Sequence, residues 1–235
     1  MVSGAIRVTV EPTEVGARSG AWATATAASA TPADYDALFD ALERSLADHD
    51  LHPADIVRSR LTAATRAGRN AGSVVRLRRL AVPYPCATSS YIDPSRFEGG
   101  DGAMLETLAL CGAGDDKLAA EHRPSPPPWR VVATGDLAFF SGITSFEPAL
   151  DDQLRDMADR VAAALSVAES LVGRPVQAFR AAAYVHRGVD LASLGDLAGR
   201  VGLDRVPLTI ARCAGFSYPG KLVEVEIDGV AEAPV

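Results

Sequence analysis

Apolar and polar residues alternate strictly from Val223 to Asp228, with Val223, Val225 and Ile227 on one side and Glu224, Glu226 and Asp228 on the other. Successive side chains of a strand point to opposite faces, so the run predicts a closing strand, Leu222–Val230, with one apolar face and one carboxylate face. Three like charges on one face repel unless that face meets water, cations or a polar cavity. Two readings stay open: a solvent-facing strand, or a strand whose Glu226 lines a pocket at a sheet or subunit junction.

The same periodicities divide the rest of the chain into two runs of elements. The first predicts strands at Ile6–Glu11 and Trp22–Ala28, then a helix capped by Thr31-Pro-Ala-Asp34 with Leu38, Leu42 and Leu46 at helical spacing. A strand at Ile56–Ala63, a short helix near Ala71–Leu80 and strands at Ala87–Ile92 and Met104–Leu110 complete it. The second predicts strands at Val131–Ala133 and Leu137–Ser141 and a helix at Asp151–Val172 with Leu154, Val161, Leu165 and Ala168 on one side. After these come a strand at Ala178–Val185, a shorter helix at Leu191–Val201 and strands at Leu208–Gly215 and Leu222–Val230.

The two runs repeat one another. Pro53-Ala-Asp-Ile-Val-Arg58 matches Pro175-Val-Gln-Ala-Phe-Arg180, and Glu106 in Leu105–Ala109 matches Glu226 in Val225–Asp228, at offsets of 122 and 120 residues. Two distant landmarks at nearly one offset are how a tandem duplication looks. Gly112-Ala-Gly-Asp-Asp116 and Arg123-Pro-Ser-Pro-Pro-Pro128 separate the copies, giving a domain at 1–112, a linker at 113–126 and a domain at 127–235. Each copy is expected to be a mixed sheet with two helices on one face, an α+β arrangement.

Composition narrows the function. The 235 residues suffice for two ordinary domains, and 48% hydrophobic with 23% charged residues is a globular balance. A net charge of −7 argues against nucleic acid as partner, because that needs clustered cations, and favours a small-molecule or protein partner, with a small-molecule substrate expected. No run is long enough for a membrane span and the N-terminus lacks a basic-then-apolar signal, so a cytoplasmic protein is expected. Cys86, Cys111 and Cys213 form no metal-ligand spacing and read as free thiols, with no metal implied. Gly99-Gly100-Asp101-Gly102 lacks the Lys and Ser/Thr of a phosphate loop, so no nucleotide cofactor, and no cofactor of any kind, is expected.

Candidate chemistry centres on the closing strand. A carboxylate works as general acid or base near neutrality when burial or neighbouring charge adjusts it, which a sheltered Glu226 satisfies. Arg212, on the preceding strand, and Arg58 are candidates to grip an anionic substrate. Tyr184 shares a strand face with His186 and offers a proton or hydrogen bond, and Ser141 at a strand end before Gly142 is placed to orient water. His49, His52 and His122 fall in turns or helix ends and read as solvated.

Gly135-Asp-Leu-Ala-Phe-Phe-Ser-Gly142, the helix from Asp151, Ala183-Tyr-Val-His-Arg187 and Val225-Glu-Ile-Asp-Gly-Val-Ala231 make residues 127–232 resemble the RidA (YjgF) family, with residues 5–112 a fainter copy. That resemblance implies RidA/chorismate-mutase-like domains, trimers with clefts between subunits and hydrolysis of reactive imines and enamines. It makes Ser141 the counterpart of the family serine and Glu226 that of the carboxylate that positions water. The family's substrate-gripping arginine is replaced by Thr209, and its tyrosine before the first strand by Pro128. Ile210-Ala-Arg-Cys213 and Leu222–Gly229 also resemble chorismatases, two RidA-type domains in one chain that cleave the enolpyruvyl ether of chorismate and use the closing-strand glutamate as acid. The expectation is a cofactor-free hydrolase, deaminase or lyase acting on a small carboxylated metabolite, with a non-catalytic binding protein as the alternative and a homo-oligomer, a trimer favoured, as its assembly.

Overall fold

A computed structural model describes residues 6–80, 82–97, 100–122 and 127–233. The chain divides into two compact units, Met1–Lys117 and Leu118–Val235.

In the first unit, β1 (Arg7–Val15) and β2 (Arg18–Ala27) form a hairpin, followed by α1 (Pro32–Ala47), β3 (Ile56–Ala63), α2 (Arg66–Arg79), β4 (Cys86–Tyr91), β5 (Ala103–Leu110) and the one-turn α3 (Ala113–Asp116). The strands lie in the order β1-β2-β5-β3-β4, with only β3 and β4 parallel. Thr31 starts α1 because its hydroxyl accepts from Asp34 N–H while the Asp34 carboxylate accepts from Thr31 N–H, a reciprocal cap. Burial pushes the Asp34 carboxyl up, but hydrogen bonds from the Thr31 and Ser29 hydroxyls and Thr31 N–H outweigh it and hold it below its ordinary value. Tyr35, Leu38, Phe39, Leu42 and Leu46 then form one buried stripe against the sheet.

The second unit has β6 (Leu118–His122), β7 (Trp129–Thr134), β8 (Leu137–Thr144), α4 (Leu150–Val172), β9 (Val176–His186), α5 (Leu197–Arg200), β10 (Leu208–Cys213), the two-residue β11 (Gly215–Phe216) and β12 (Val223–Ala231). Its sheet runs β6-β7-β8-β12-β9-β10, and β9 and β10 are its parallel pair. With β6 removed, this is the order of the first unit, strand for strand. The duplication expected from two sequence landmarks is therefore a duplication of topology. Leu154, Met157, Val161, Ala164 and Ala168 of α4 pack on Val131, Phe140, Ala183, Val225 and Ile227. Each unit thus has the expected mixed sheet with its helices on one face.

Two expectations are corrected. The segment 113–126, expected as a linker, is ordered structure as far as His122. Asp55 accepts from Gly114 N–H at 3.0 Å, Arg18 pairs with Asp116, and Lys117 Nζ donates to the Ala54 and Ile56 carbonyls at 2.6 and 3.1 Å. Burial draws the Lys117 ammonium below its ordinary pKa, opposed by Asp55 and Cys86. Residues 118–122 pair with β7, and His122, expected in water, stacks on Trp129 with centroids 4.6 Å apart. The remaining linker residues, 123–126, lie outside the described residues. The helix expected at Leu191–Val201 is two pieces, a 3₁₀ turn at Leu191–Leu194 and α5, because Gly195 sits at φ +56° between them.

Candidate active site

The face of the second sheet that carries no helix is built by register. On β12, Glu224 faces Tyr184 of β9, Glu226 faces Ala182 and Asp228 faces Arg180. On the far side of β9, Thr209, Ala211 and Cys213 of β10 lie beside Ala182, Tyr184 and His186. On the other flank of β12 the ladder to β8 shifts between Val225 and Ile227, so that Ser141 and Gly142 together oppose the single Glu226. Such a bulge re-aims side chains and is over-represented beside functional sites.

All three carboxylates are buried, with Glu224 4%, Glu226 1% and Asp228 4% exposed, which overturns the solvent-facing reading of the strand. Each has a defined neighbour. Tyr184 Oη donates to Glu226 Oε2 at 3.4 Å, a long contact. Lys221 Nζ donates to Glu224 Oε2 at 3.1 Å and to Ser217 Oγ at 3.4 Å, so a lysine and a glutamate form an ion pair almost wholly out of water. Arg180 Nε donates to Asp228 at 2.7 Å. Glycine at 142 is required by the close approach of Glu224, whose Oε1 would lie 2.2 Å from a Cβ there. Thr209 and Ala182, both short, flank Glu226 in the row running from β10 to the bulge.

Cys213 is 3% exposed, and burial together with the Glu224 charge pushes its thiol up to about 12. It is a neutral thiol at physiological pH and no nucleophile.

The corresponding face of the first sheet carries the opposite chemistry. On β5, Met104, Glu106 and Leu108 stand where the second unit has Glu224, Glu226 and Asp228, and their partners on β3 are Thr62, Arg60 and Arg58. Arg58 is 1% exposed. The Arg60 guanidinium lies over the Trp22 ring, 4.7 Å from its centroid.

The structure brings together three of the residues singled out from the sequence: Glu226, Tyr184 and Ser141. Ser141 is tied to its neighbouring strand, its Oγ accepting from Arg130 N–H at 2.7 Å, which leaves the hydroxyl proton for another acceptor. Arg212 is elsewhere: its register partner is Val185, whose side chain is in the helix-side core, so Arg212 occupies the opposite face from Glu226, is exposed and donates to the Arg187 carbonyl. The alternation that separates Arg212 from Cys213 sends the arginine away from the site. Arg58 belongs to the first unit, on the helix-free face of β3. Sequence reasoning missed Lys221, Gly142 and Gln153. Lys221 is one of only two lysines in the chain and lies three residues before Glu224, a signal that was present but unread. Among the described residues no group of three or more His, Cys, Asp or Glu is arranged to hold a metal ion.

No family model and no curated protein matches the chain. A crystal structure of chorismatase does, with a TM-score of 0.64 over 94% of this chain and 80% of that one, at 14% identity. Structures about half as long also match: a YjgF/YER057c/UK114 family member from Mycobacterium tuberculosis (26% identity, TM-score 0.36, 43% of this chain and 84% of that one) and a YjgF family member from Neisseria meningitidis (17%, 0.34, 50% and 98%). The chain has a two-unit α+β fold that resembles that of chorismatase over nearly its whole length, and at this identity the resemblance is one of fold.

Proposed function

We propose that the protein is a cofactor-free enzyme, a hydrolase, deaminase or lyase, acting on a small carboxylated metabolite such as an imine, enamine or enol ether, with Glu226 as its general acid and base. The observation that supports this most directly is a buried glutamate facing a strand bulge, flanked by Ala182 and Thr209 and hydrogen-bonded by Tyr184. Hydrolysis of an enol ether needs a proton delivered to the vinyl carbon. Water then adds to the carbon left positive, giving up a proton to the glutamate, and the C–O bond breaks as the leaving oxygen is protonated. An imine takes the first proton on nitrogen instead, water then adds to the carbon with loss of a proton to the glutamate, and the nitrogen leaves as an amine. Both need a carboxyl that changes protonation state within reach of the substrate, which Glu226 supplies, while Tyr184 holds it and the Ser141 hydroxyl orients water. Glu226→Gln keeps shape and removes proton transfer. Turnover of enol-ether and imine substrates should collapse in this variant, and unchanged turnover would reject the role.

A binding protein without turnover is the second reading. Thr209 stands on the Glu226 face where the family's arginine would be, and Arg212 is turned away from it. Ligand-induced thermal stabilisation by small carboxylates, with no product formed, would favour this reading.

The same proposal extends to surroundings and assembly: a cytoplasmic protein that forms a homo-oligomer, a trimer favoured. Among the described residues no helix is long and apolar enough to cross a membrane. β10 is an edge strand with Thr209–Arg212 exposed, an available pairing surface. Light scattering that finds a monomer would refute the assembly.

A further inference from the structure

The two long helices of the first unit hold the sheet by different means. α1 sets five bulky side chains on it, whereas α2 buries only Gly68, Gly72, Val75 and Arg76, and its Val74 and Leu77 point to water, 69% and 58% exposed. The rest of its grip is polar: Arg69 Nε donates to Ser89 Oγ at 3.0 Å and Arg76 donates to the Thr88 carbonyl at 2.9 Å. In the seam between the helices and the sheet, polar groups are left unfinished. Tyr35 Oη, Ser59 Oγ and Thr107 Oγ1 are buried with no hydrogen-bond partner among the described residues. Ser59 and Thr107 are cross-strand partners, and the Tyr35 ring closes against Gly72, where a Cβ would lie 2.5 Å from Tyr35 Cζ. α4 of the second unit is the contrast. Its Gln153 is fully buried, and Nε2 donates to the Glu147 and Gly220 carbonyls at 2.6 and 2.7 Å while Oε1 accepts from Leu222 N–H at 3.0 Å, so that amide is saturated.

A row of ion pairs joins α2 to α1. Arg78 reaches Asp36 at 2.5 Å, and Arg79 reaches Asp40 and Glu43 at 2.6 and 3.0 Å. These pairs lie near the surface, where salt screens them. Lifting α2 returns the Arg76 guanidinium and the buried hydroxyls to water, at the expense of uncovering Val75, Leu61 and the Tyr35 ring. A helix with so few buried apolar contacts belongs to the low-stability end of a structure. We infer that α2 is a latched cover: it opens from the first sheet as a unit, under the control of its arginine–carboxylate pairs with α1, while the rest of the protein stays folded. Ionic strength is the input it senses, and opening presents the helix side of β3, with the Tyr35 and Ser59 hydroxyls, to solvent. The device is independent of Glu226 and of any turnover.

The experiment is hydrogen exchange of the whole protein read by mass spectrometry at low and high salt. Amides of residues 66–79 should exchange at least about tenfold faster than those of α1 and α4, through an opening that leaves both helices protected. Raising sodium chloride from about 0.01 M to about 1 M should quicken the α2 amides several-fold relative to those of α4. Arg79→Gln should quicken them already at low salt and shrink the salt effect. Tyr35→Phe, which removes an unpartnered hydroxyl, should slow them. A thiol reporter gives an independent reading: Ser59→Cys places a thiol under the cover, and its alkylation in the folded protein should rise with salt in step with α2 exchange. Circular dichroism checks that each variant is folded. Exchange of α2 in step with α1, opening that is indifferent to salt, or a Ser59→Cys thiol that reacts only when the whole protein unfolds would overturn the cover.

Discussion

The two units share a strand order, a parallel pair and a helix-covered face, yet their helix-free faces have exchanged charge. At equivalent ladder positions the first unit reads Met104 with Thr62, Glu106 with Arg60 and Leu108 with Arg58, and the second reads Glu224 with Tyr184, Glu226 with Ala182 and Asp228 with Arg180. One glutamate is common to both. In the first unit its ladder partner on β3 is an arginine, Arg60. In the second the opposite residue is alanine, and the guanidinium has only the next position, against Asp228. The first unit's β2-β5 ladder runs unbroken past Glu106, whereas the second unit's β8 bulges at Glu226. Duplication supplied two frames, and a few substitutions on one face made one of them a candidate for proton transfer.

The comparison is most sharply broken at the glutamates. Glu226→Gln should cost about 10²- to 10⁴-fold in turnover, the usual worth of a general acid or base, whereas Glu106→Gln should leave the chemical step intact, as steady-state rates on one substrate will show. Next is the Lys221–Glu224 pair, which has no counterpart in the first unit. Lys221→Met strands a buried carboxylate and should cost about 3–5 kcal/mol in urea unfolding, while Lys221→Met with Glu224→Leu should recover most of that. Gly142→Ala drives a methyl into Glu224 and should cost about 1–3 kcal/mol as overpacking. Ala182→Arg, which copies the first unit's arrangement into the second, should lower turnover at least about tenfold by pairing Glu226 with a permanent cation. The smallest effect concerns Cys213. It should resist alkylation at pH 8 while exposed Cys111 reacts. Because its folded pKa of about 12 lies above the ordinary 9.0, its contribution to stability is present below pH 9 and is lost as pH rises toward 12. Equal alkylation of both thiols in the folded protein would contradict the burial.

Much of this was legible in the residues. Period-2 and period-3.6 patterns mark nearly every strand and helix, since a strand between helices and a polar face must alternate and a helix on a sheet must repeat its apolar stripe. The offset of Arg58 to Arg180 and Glu106 to Glu226 carried the duplication. The failures have physical causes. The segment after Leu110 reads as linker because glycine and aspartate dominate it, but its stability comes from Asp55, Ala54 and Ile56, far away in sequence. Arg212 was a candidate anion partner as a cation on the strand before the closing one, but its register against Val185 sets it on the opposite face.

The sequence by itself determined the two copies, the alternation of the closing strand and the presence of three carboxylates on one side of it, because covalent order and side-chain period suffice for these. Only the tertiary structure decided that those carboxylates are buried rather than solvated, that Lys221 neutralises one of them, and that a bulge in β8 opposes Glu226. These depend on which strands become neighbours and in what register, and a ladder shift of one residue would turn every one of those side chains to the other face.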